Sequence, residues 1–444
     1  MDQLPLSASL SEAPETVARP LPGAQLERIK GWAKIFSTFL TAQVLTQLLG
    51  ISAGILLIRA MPVRQFALYT LALSVVTFFT FISDLGSTTS LLYFFHRTAG
   101  KGQDFPLYLA AVRSLRRLAF LAGAAGVAVG LPWIAAAKGF GTAEIALSTG
   151  AVLLCVWFQI GASLSILSLR LGDRYGDSYR AEIAGGGVRL ATAAAMVIAT
   201  RLYAWLGVLG NAVSTATVAF LARPAARPVR EAADLAPYRR QILRYLVPTL
   251  PSAVYFSVQG PLMVWLSASF GAARNIAEVG ALSRLGMVVG LFSNLAAVVF
   301  LPRLSRLADD RLYRSRFLQF SAVLAAAALS LLGASLAFPR AFLALLGEHY
   351  SGLDSELLLV VAGSGLTLLD GYLVSVNLAR SWTRWQGLAV LCLAVTQAGL
   401  VHVLPLGTTR GVLSFNLLSA AAAFVLQLAV SILGFTRPRL VHWE

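Results

Sequence analysis

The chain has 444 residues, of which 57% are hydrophobic and only 13% charged, and its formal net charge is +16. A soluble domain has about 25% charged residues, so this composition excludes an ordinary soluble protein and indicates a polytopic membrane protein. The basic residues lie between the apolar segments, where they set topology and contact lipid headgroups. The charge therefore does not indicate binding to nucleic acid.

The apolar segments follow a short N-terminal region. Residues 1–30 have no apolar run, so they predict a disordered cytosolic tail rather than a signal peptide. The runs beyond are continuous and near the about 20 residues that a membrane-spanning helix needs, which favours helices over a β-barrel. We predict an all-α integral membrane protein with twelve transmembrane helices. Their approximate limits are 37–58, 66–95, 116–137, 145–169, 181–200, 203–222, 245–270, 276–300, 317–338, 355–378, 386–405 and 411–434.

The distribution of lysine and arginine predicts the orientation. If the N-terminus is cytosolic, 27 of the 36 basic residues fall in cytosolic segments and 7 in outer loops. This is the asymmetry of the positive-inside rule, so both termini are predicted to be cytosolic. The two remaining basic residues, Arg189 and Arg284, fall inside predicted helices.

A Pro- and Arg-rich segment, residues 223–244, divides the twelve helices into six and six. Two halves with an even number of spans have the same orientation, which predicts six-helix lobes related by a pseudo-two-fold axis along the membrane normal. At an offset of 210 residues, Ser83-Asp84-Leu85 aligns with Ser293-Asn294-Leu295 and places Asp84 and Asn294 at one depth. The predicted units are an N-lobe (31–222), a cytosolic linker (223–244), a C-lobe (245–434) and a cytosolic tail (435–444).

Arg189 and Arg284 are the first candidates for substrate binding. A charge in mid-membrane costs about 2.5–3.5 kcal/mol on insertion scales, so such residues face the bundle interior or a watery cavity. A guanidinium is permanently charged and suited to bidentate phosphate binding. The alternative is a structural ion pair with Glu182, Asp84 or Asp370.

Asp84 lies in an apolar run of 30 residues, 66–95, which as a straight helix would be about 45 Å long. That length is too great for one perpendicular crossing, so Gly86 and the hydroxyl residues around it predict a bend. Asp84 is a candidate for a direct role in transport. The alternative, which the sequence favours equally, is that Asp84 caps a helix fragment or pairs with an arginine in a structural role.

Other polar residues in apolar segments complete the candidate site. Asp370 and Asn377 are seven positions apart and share a helix face. Tyr255 and Gln259 lie one turn apart in the seventh helix, which Gly260 and several prolines predict to be kinked or broken. Broken helices often line transport pathways. Gln47 belongs to a polar, small-residue stripe in the first helix, although ordinary helix packing explains a single glutamine at least as well.

Motifs for enzymatic chemistry are missing from the sequence. It has no GxxxxGK[ST] loop, so the chain is not predicted to hydrolyse ATP, and no HExxH or GxSxG sequence. Its four histidines are scattered and Cys155 and Cys392 are far apart, so neither a metal site nor a disulfide is predicted. We predict a protein that is not an enzyme and has no cofactor, apart from an H+ or Na+ coupling ion.

Three stretches resemble one known family. They are GWAKIFSTFLTAQVLTQLLG (31–50), IRAMPVRQFALYTLALS (58–74) and ISDLGSTTSLLYFF (82–95). With the six-plus-six organisation, their order is similar to the polysaccharide-biosynthesis branch of the multidrug/oligosaccharidyl-lipid/polysaccharide (MOP) flippase superfamily. The motifs are short, and their order and spacing over nearly the whole chain from about residue 30 carry the resemblance.

The resemblance implies a flippase with two lobes around a central cavity, working by alternating access without ATP. Its substrate would be a lipid-linked oligosaccharide, for example on undecaprenyl diphosphate, moved from the cytosolic to the outer leaflet for cell-surface polysaccharide biosynthesis. It also implies a bacterial cytoplasmic (inner) membrane protein, surrounded by membrane lipids and associated with other polysaccharide-assembly proteins. Arg189 and Arg284 would hold the diphosphate.

Two other functions stay open. The first is a MATE-like drug/cation antiporter, which needs acidic residues in its cavity and has no need of arginine at mid-depth. The second is an integral membrane polysaccharide polymerase, which the short outer loops and the even repeat disfavour.

Overall fold

The structure is a computed structural model that describes residues 22–98, 105–223, 235–247, 250–295, 300, 304, 310–380, 382 and 384–436. Most of the predicted N-terminal tail, the centre of the predicted linker and residues 437–444 therefore lie outside the described part. All regular secondary structure in the described residues is helical. The prediction of an all-α membrane fold is confirmed.

The N-terminal half contains seven helices. They are α1 (Pro22–Ala60), α2 (Val63–Asp84), α3 (Ser87–Thr98), α4 (Phe105–Ala137), α5 (Thr142–Leu171), α6 (Tyr175–Ile198) and α7 (Ala204–Leu221). Local chemistry sets several of the ends. α2 begins directly after Pro62, and at the start of α5 the backbone N–H of Gly141 donates to Oε2 of Glu144 at 3.3 Å.

A short amphipathic helix, α8 (Ala236–Leu246), precedes the C-terminal half and packs on α3 and α4. In the described part of the C-terminal half, the structure gives bounds for eight helices and for one 3-10 turn, Glu348–Tyr350. The helices are α9 (Leu250–Gln259), α10 (Leu262–Phe270), α11 (Ala273–Leu295), α12 (Asp310–Ala337), α13 (Pro339–Leu346), α14 (Asp354–Ala379), α15 (Gln386–Val403) and α16 (Thr409–Thr436).

In the part of the chain that the structure describes, ten helical segments are long and apolar enough to cross a membrane. They coincide with ten of the predicted spans, and α2 with α3 counts as one segment, Val63–Phe95. The other two predicted spans correspond to α9 with α10, which are individually short, and to α11, which has 23 residues. The full count of twelve spans in two lobes remains a prediction.

Two breaks occur where the sequence predicted them. α2 ends at Asp84. The next residue, Leu85, has a φ of 42°, and Gly86 follows with a φ of 80°. A left-handed backbone costs a non-glycine residue about 1–2 kcal/mol, so the surrounding contacts must hold this turn in place. The second break separates α9 from α10 at Gly260 and Pro261. The predicted bend at Gly86 and the predicted broken seventh helix are confirmed.

α2 and α11 form the main contact between the halves. They begin at Val63 and Ala273, which are 210 positions apart. This is the offset at which Ser83-Asp84-Leu85 aligns with Ser293-Asn294-Leu295 in the sequence. Thr70 and Gly280 share this offset and touch each other, since a Cβ on Gly280 would lie 2.4 Å from Cγ2 of Thr70. Equivalent positions meet in this way beside a two-fold axis, which supports the predicted relation between the halves.

Among the described residues, the hydrophobic core is continuous across the halves at one end only. The largest buried cluster includes Phe66 from α2, Ile276 from α11 and Tyr350, at the end that the charge distribution predicts to be outer. At the opposite end, one cluster around Phe94 and Tyr108 belongs to the N-terminal half with α8. A separate cluster around Phe317 belongs to the C-terminal half. The halves are thus closed against each other at the predicted outer end.

Candidate functional site: a cationic cavity between the halves

A cavity of about 520 Å³ lies where the two halves meet, a volume in the range of small-molecule sites. Helices α2, α5, α6 and α7 contribute to it from one half, and the α9–α10 break and α11 from the other. Its lining consists of Thr70, Leu73, Ser74, Val76, Thr77, Thr80, Phe81, Cys155, Gln159, Arg189, Asn211, Ser214, Thr215, Gly260, Pro261, Val264, Gly280, Ser283 and Arg284.

One face of α2 supplies a row of hydroxyl groups to the cavity. Thr70, Ser74 and Thr77 follow one another at helical spacing, so they lie on the same side of the helix, and Thr80 continues the row. The indole N–H of Trp265 on α10 donates to Oγ of Ser74 at 3.1 Å and connects this wall to the opposite half. The wall can donate and accept hydrogen bonds without adding charge.

Arg189 on α6 and Arg284 on α11 bring positive charge to the cavity from opposite halves. Both side chains are half-buried, and the two guanidinium groups are close enough to repel each other. Helix α1 lies beside them, with two glycines at the positions of contact. A Cβ on Gly50 would be 3.9 Å from Nη1 of Arg189, and one on Gly54 would be 3.7 Å from Cδ of Arg284.

Among the described residues, no carboxylate lines this cavity. The guanidinium of Arg189 has no hydrogen-bond or ion-pair partner among the residues that the structure describes. Two carboxylates offered as its structural partners are engaged elsewhere: Glu182 accepts from Arg170 at 2.8 Å, and Asp84 pairs with Arg116. The described lining of the cavity is therefore basic, and the guanidinium of Arg189 is a charge that an anionic ligand would neutralise.

Asp84 does not line the cavity. Its carboxylate is held at the α2–α3 break, where it accepts from the hydroxyl of Ser87 at 3.0 Å and from the hydroxyl of Thr88 at 2.8 Å. The buried guanidinium of Arg116 on α4 pairs with the same carboxylate and also donates to Ser163 Oγ at 2.9 Å. These contacts are those of the structural alternative, a carboxylate that caps a helix fragment and pairs with an arginine.

A second polar cluster lies within the C-terminal half. Gln397 on α15 accepts from the hydroxyl of Tyr255 at 3.1 Å and from Nε2 of Gln259 at 2.9 Å. Asp370 on α14 is an electrostatic neighbour of Tyr255, and its Oδ1 is buried without a hydrogen-bond partner among the described residues. Three of these four residues were predicted from the sequence and are brought together here, beside the cavity wall at Gly260.

Three further predicted residues lie in different places. Asn377 is buried in a network between α14 and α16, where Ser431 Oγ donates to its Oδ1 at 2.8 Å, and it does not line the cavity. Gln47 on α1 faces α11, with Nε2 at 3.7 Å from the position of a Cβ on Gly290. Asn294 lies near the end of α11, and its side chain is outside the described part of the chain.

Sequence reasoning missed the uncharged members of the cavity wall. The hydroxyl row on α2 has a readable signal, because hydroxyl residues recur there at helical spacing in an apolar helix. Gln159 and Asn211 line the cavity as polar residues of apolar helices, and Gln397 belongs to the second polar cluster. Nothing in their own helices distinguishes such residues from packing contacts.

No family model matches the chain, and no curated protein matches it. Solved structures do, and they show the class of fold: this chain shares its fold with a flippase and with transporters, one of them described as a member of the MOP superfamily. The lipid II flippase MurJ in an inward closed conformation superposes with a TM-score of 0.70 and 12% identity over 90% of this chain and 87% of that chain.

Two multidrug-type relatives of that fold also match. An inward-facing MATE transporter gives a TM-score of 0.61 and 15% identity over 88% of this chain and 96% of that chain. A variant of the Vibrio cholerae MATE transporter VcmN gives 0.58 and 14% over 92% and 98%. At identities this low, the structural similarity establishes the fold alone. The substrate has to be argued from the site.

Proposed function

We propose that the chain is a flippase that moves a lipid-linked oligosaccharide, carried on a polyprenyl diphosphate such as undecaprenyl diphosphate, from the cytosolic to the outer leaflet. The glycan would serve cell-surface polysaccharide synthesis in a bacterial inner membrane. The observation that supports this most is the cavity between the halves, whose described lining has two arginines and no carboxylate. A diphosphate placed there would accept charge-assisted hydrogen bonds from guanidinium groups of both halves.

Alternating access fits the distribution of buried contacts. The halves share a core at the predicted outer end and have separate cores at the predicted cytosolic end. In this state a headgroup would enter from the cytosolic leaflet. The hydroxyl row on α2 would accommodate sugar hydroxyls, and the lipid chain would remain in the bilayer.

Coupling to an H+ or Na+ gradient is assigned to the second polar cluster. A buried carboxylate oxygen without a hydrogen-bond partner is costly unless it binds a proton or a cation. Asp370 provides such an oxygen, and Tyr255, Gln259 and Gln397 lie around it. No ATP-dependent step is required by this mechanism.

The test is a flipping assay in proteoliposomes with a fluorescent polyprenyl-diphosphate oligosaccharide. We expect Arg284→Ala and Arg189→Ala to abolish flipping while the amount of folded protein stays unchanged. Arg340→Ala, which removes the same charge from an exposed position outside the cavity, is the control. Equal loss of folded protein in the cavity variants would identify the arginines as structural and overturn the proposal.

A MATE-like drug antiporter is the second candidate, and the MATE structures of the same fold favour it. The basic lining opposes it, because the guanidinium of Arg189, unpaired among the described residues, would repel an organic cation. Uptake of a fluorescent organic cation by the same proteoliposomes, without flipping of the diphosphate lipid, would decide for the antiporter.

A further inference from the structure

A second basic pocket lies on the outside of the N-terminal half, between α4, α5 and α7. It has a volume of about 280 Å³, and its lining includes Arg113 and Arg117 of α4, Trp157 and Gly161 of α5, and Arg223 at the end of α7. No acidic residue is among the lining residues that the structure describes. The charge distribution predicts that this end of the helices is cytosolic.

The pocket is separate from the central cavity. Cys155 and Gln159 of α5 line the cavity, whereas Trp157 and Gly161 line the pocket. Residues two positions apart point about 200° away from each other on a helix, so the two sites lie on opposite faces of α5. A ligand in the pocket would not occupy the transport pathway.

The three arginines are placed to receive an anion. Arg113 and Arg117 are four positions apart, so they share a face and repel each other in the absence of a counter-charge. The guanidinium of Arg117 lies over the Trp157 ring at 6.0 Å, and that of Arg223 lies over the Phe220 ring at 5.9 Å. None of the three has a hydrogen bond or ion pair with any residue that the structure describes.

The surroundings of the pocket are those of a lipid-facing surface. Leu118, Trp157 and Phe220 flank it with exposed apolar side chains, Phe220 being 67% exposed. Apolar side chains of this kind contact acyl chains in a bilayer, while Arg113 and Arg117 lie about 12 Å and 18 Å along α4 from its start. A ligand that fits must be anionic at one end and apolar at the other.

We propose that this pocket binds the phosphate headgroup of an anionic phospholipid from the adjacent leaflet. Basic pockets between transmembrane helices on the cytoplasmic side have this specificity as a class. The lipid would join α4, α5 and α7 through charge-assisted hydrogen bonds, with its acyl chains along Leu118 and Phe220. This inference is independent of the transported substrate.

The experiment measures the thermal unfolding of the purified full chain in detergent as phosphatidylglycerol or phosphatidylcholine is added. We expect phosphatidylglycerol alone to raise the unfolding temperature. The triple variant Arg113→Gln, Arg117→Gln, Arg223→Gln should need at least about tenfold more of this lipid for the same shift. The control variant Arg240→Gln, Arg244→Gln, Arg316→Gln removes equal charge from exposed positions outside the pocket and should behave as wild type.

A variant that fills the pocket without changing its charge keeps the test decisive if the triple variant fails to fold. A Cβ on Gly161 would meet no atom within 4 Å, so Gly161→Leu has room to point into the pocket. We expect it to weaken the phosphatidylglycerol effect to a similar degree. The proposal fails if the pocket and control variants respond alike, or if phosphatidylcholine is equally effective.

Two competing ligands are distinguished by the same assay. Glycerol 3-phosphate supplies the phosphate without acyl chains, and an equal shift with this soluble compound would overturn the assignment to a lipid. Undecaprenyl diphosphate supplies the carrier of the proposed substrate. If it displaces phosphatidylglycerol from the wild type but not from Gly161→Leu, the pocket is a substrate subsite and the phospholipid proposal is wrong.

Discussion

The carboxylate of Asp84 and the guanidinium of Arg116 form an ion pair between residues 32 positions apart, at the break between α2 and α3. Arg116 is only 3% exposed, and it also donates to Ser87 Oγ at 2.7 Å. The pair therefore joins α4 to the one point in the second span where the backbone turns left-handed. The position of this ion pair indicates a structural role: it holds α4 against the α2–α3 break.

We expect Asp84→Ala to lower the free energy of unfolding by about 3–5 kcal/mol, because it leaves a buried guanidinium unpaired. The double variant Asp84→Ala, Arg116→Met should recover at least half of that loss. Asp177→Ala is the control: it removes an exposed pair with Arg174, and an exposed pair contributes about 1 kcal/mol or less. Thermal unfolding in detergent measures the stability of all three variants. An unchanged stability of Asp84→Ala would contradict the structural role of the ion pair.

The contact between Thr70 and Gly280 should report on movement between the halves. A Cβ on Gly280 would lie 3.0 Å from Cβ of Thr70, which is shorter than the Cβ–Cβ distance of about 3.5–4.5 Å in a disulfide, so a small shift between α2 and α11 would bring a cysteine pair into range. In a chain whose two native cysteines are replaced, Thr70→Cys with Gly280→Cys should form a cross-link under oxidation. If the halves separate during transport, the cross-link stops flipping and a reducing agent restores it.

The control for this cross-link lies within one half. A Cβ on Gly210 would be 3.3 Å from Cβ of Thr192, so Thr192→Cys with Gly210→Cys should also cross-link. We expect this second bond to leave flipping active. Full activity of the cross-linked Thr70–Gly280 pair would show that α2 and α11 stay together throughout the cycle.

The polar cluster around Asp370 gives a prediction on energy coupling. Flipping by the wild type in proteoliposomes should accelerate when an inward H+ or Na+ gradient is imposed, and Asp370→Asn should remove the acceleration while the basal rate persists. Asn keeps the shape of the side chain but cannot carry the negative charge that a cation requires. Tyr255→Phe removes a hydroxyl from the same cluster and should reduce the acceleration only in part. An Asp370→Asn variant that responds fully to both gradients would exclude this carboxylate from coupling.

Asn377 should matter for stability rather than for transport. It donates to Oε1 of Gln427 at 3.0 Å and accepts from Ser431, so it ties α14 to α16. Asn377→Ala leaves buried groups unsatisfied and should cost about 1–3 kcal/mol in the free energy of unfolding. Flipping per folded molecule should be unchanged. Ser375→Ala, which loses only a bond to the Gly371 carbonyl of its own helix, is the matched control with little effect.

The positions of the helices and their two breaks could be predicted because each depends on a local pattern. Apolar length predicts a span, Gly86 among hydroxyl residues predicts a bend, and Gly260-Pro261 predicts a broken helix. The partner of Asp84 could not be predicted in this way. Arg113, Arg116 and Arg117 are nearly adjacent, and only the packing of α4 decides that Arg116 points inward while the other two line the outer pocket.

The candidate site could likewise be predicted only in part from the sequence. Arg189 and Arg284 were found because a charge inside an apolar helix needs an explanation. The sequence left open whether each forms an ion pair, and that depends on where Glu182 and Asp84 lie in three dimensions. Gln397 completes a cluster with Tyr255 and Gln259 from a helix more than one hundred positions away. No periodicity within either helix carries that information.

The rings of Phe66 and Tyr350 meet edge to face at 6.4 Å, and both are almost completely inaccessible, at 0% and 1% exposure. Opening the predicted outer end would wet both rings, and each large apolar side chain so exposed costs about 1.5–3 kcal/mol. An empty protein would therefore seldom face outward. A substrate can shift such an equilibrium only by binding the outward-facing state more tightly. The proposed glycan lipid would therefore itself favour opening of the outer end. Without bound substrate, the outer end would stay closed and little else would cross the membrane.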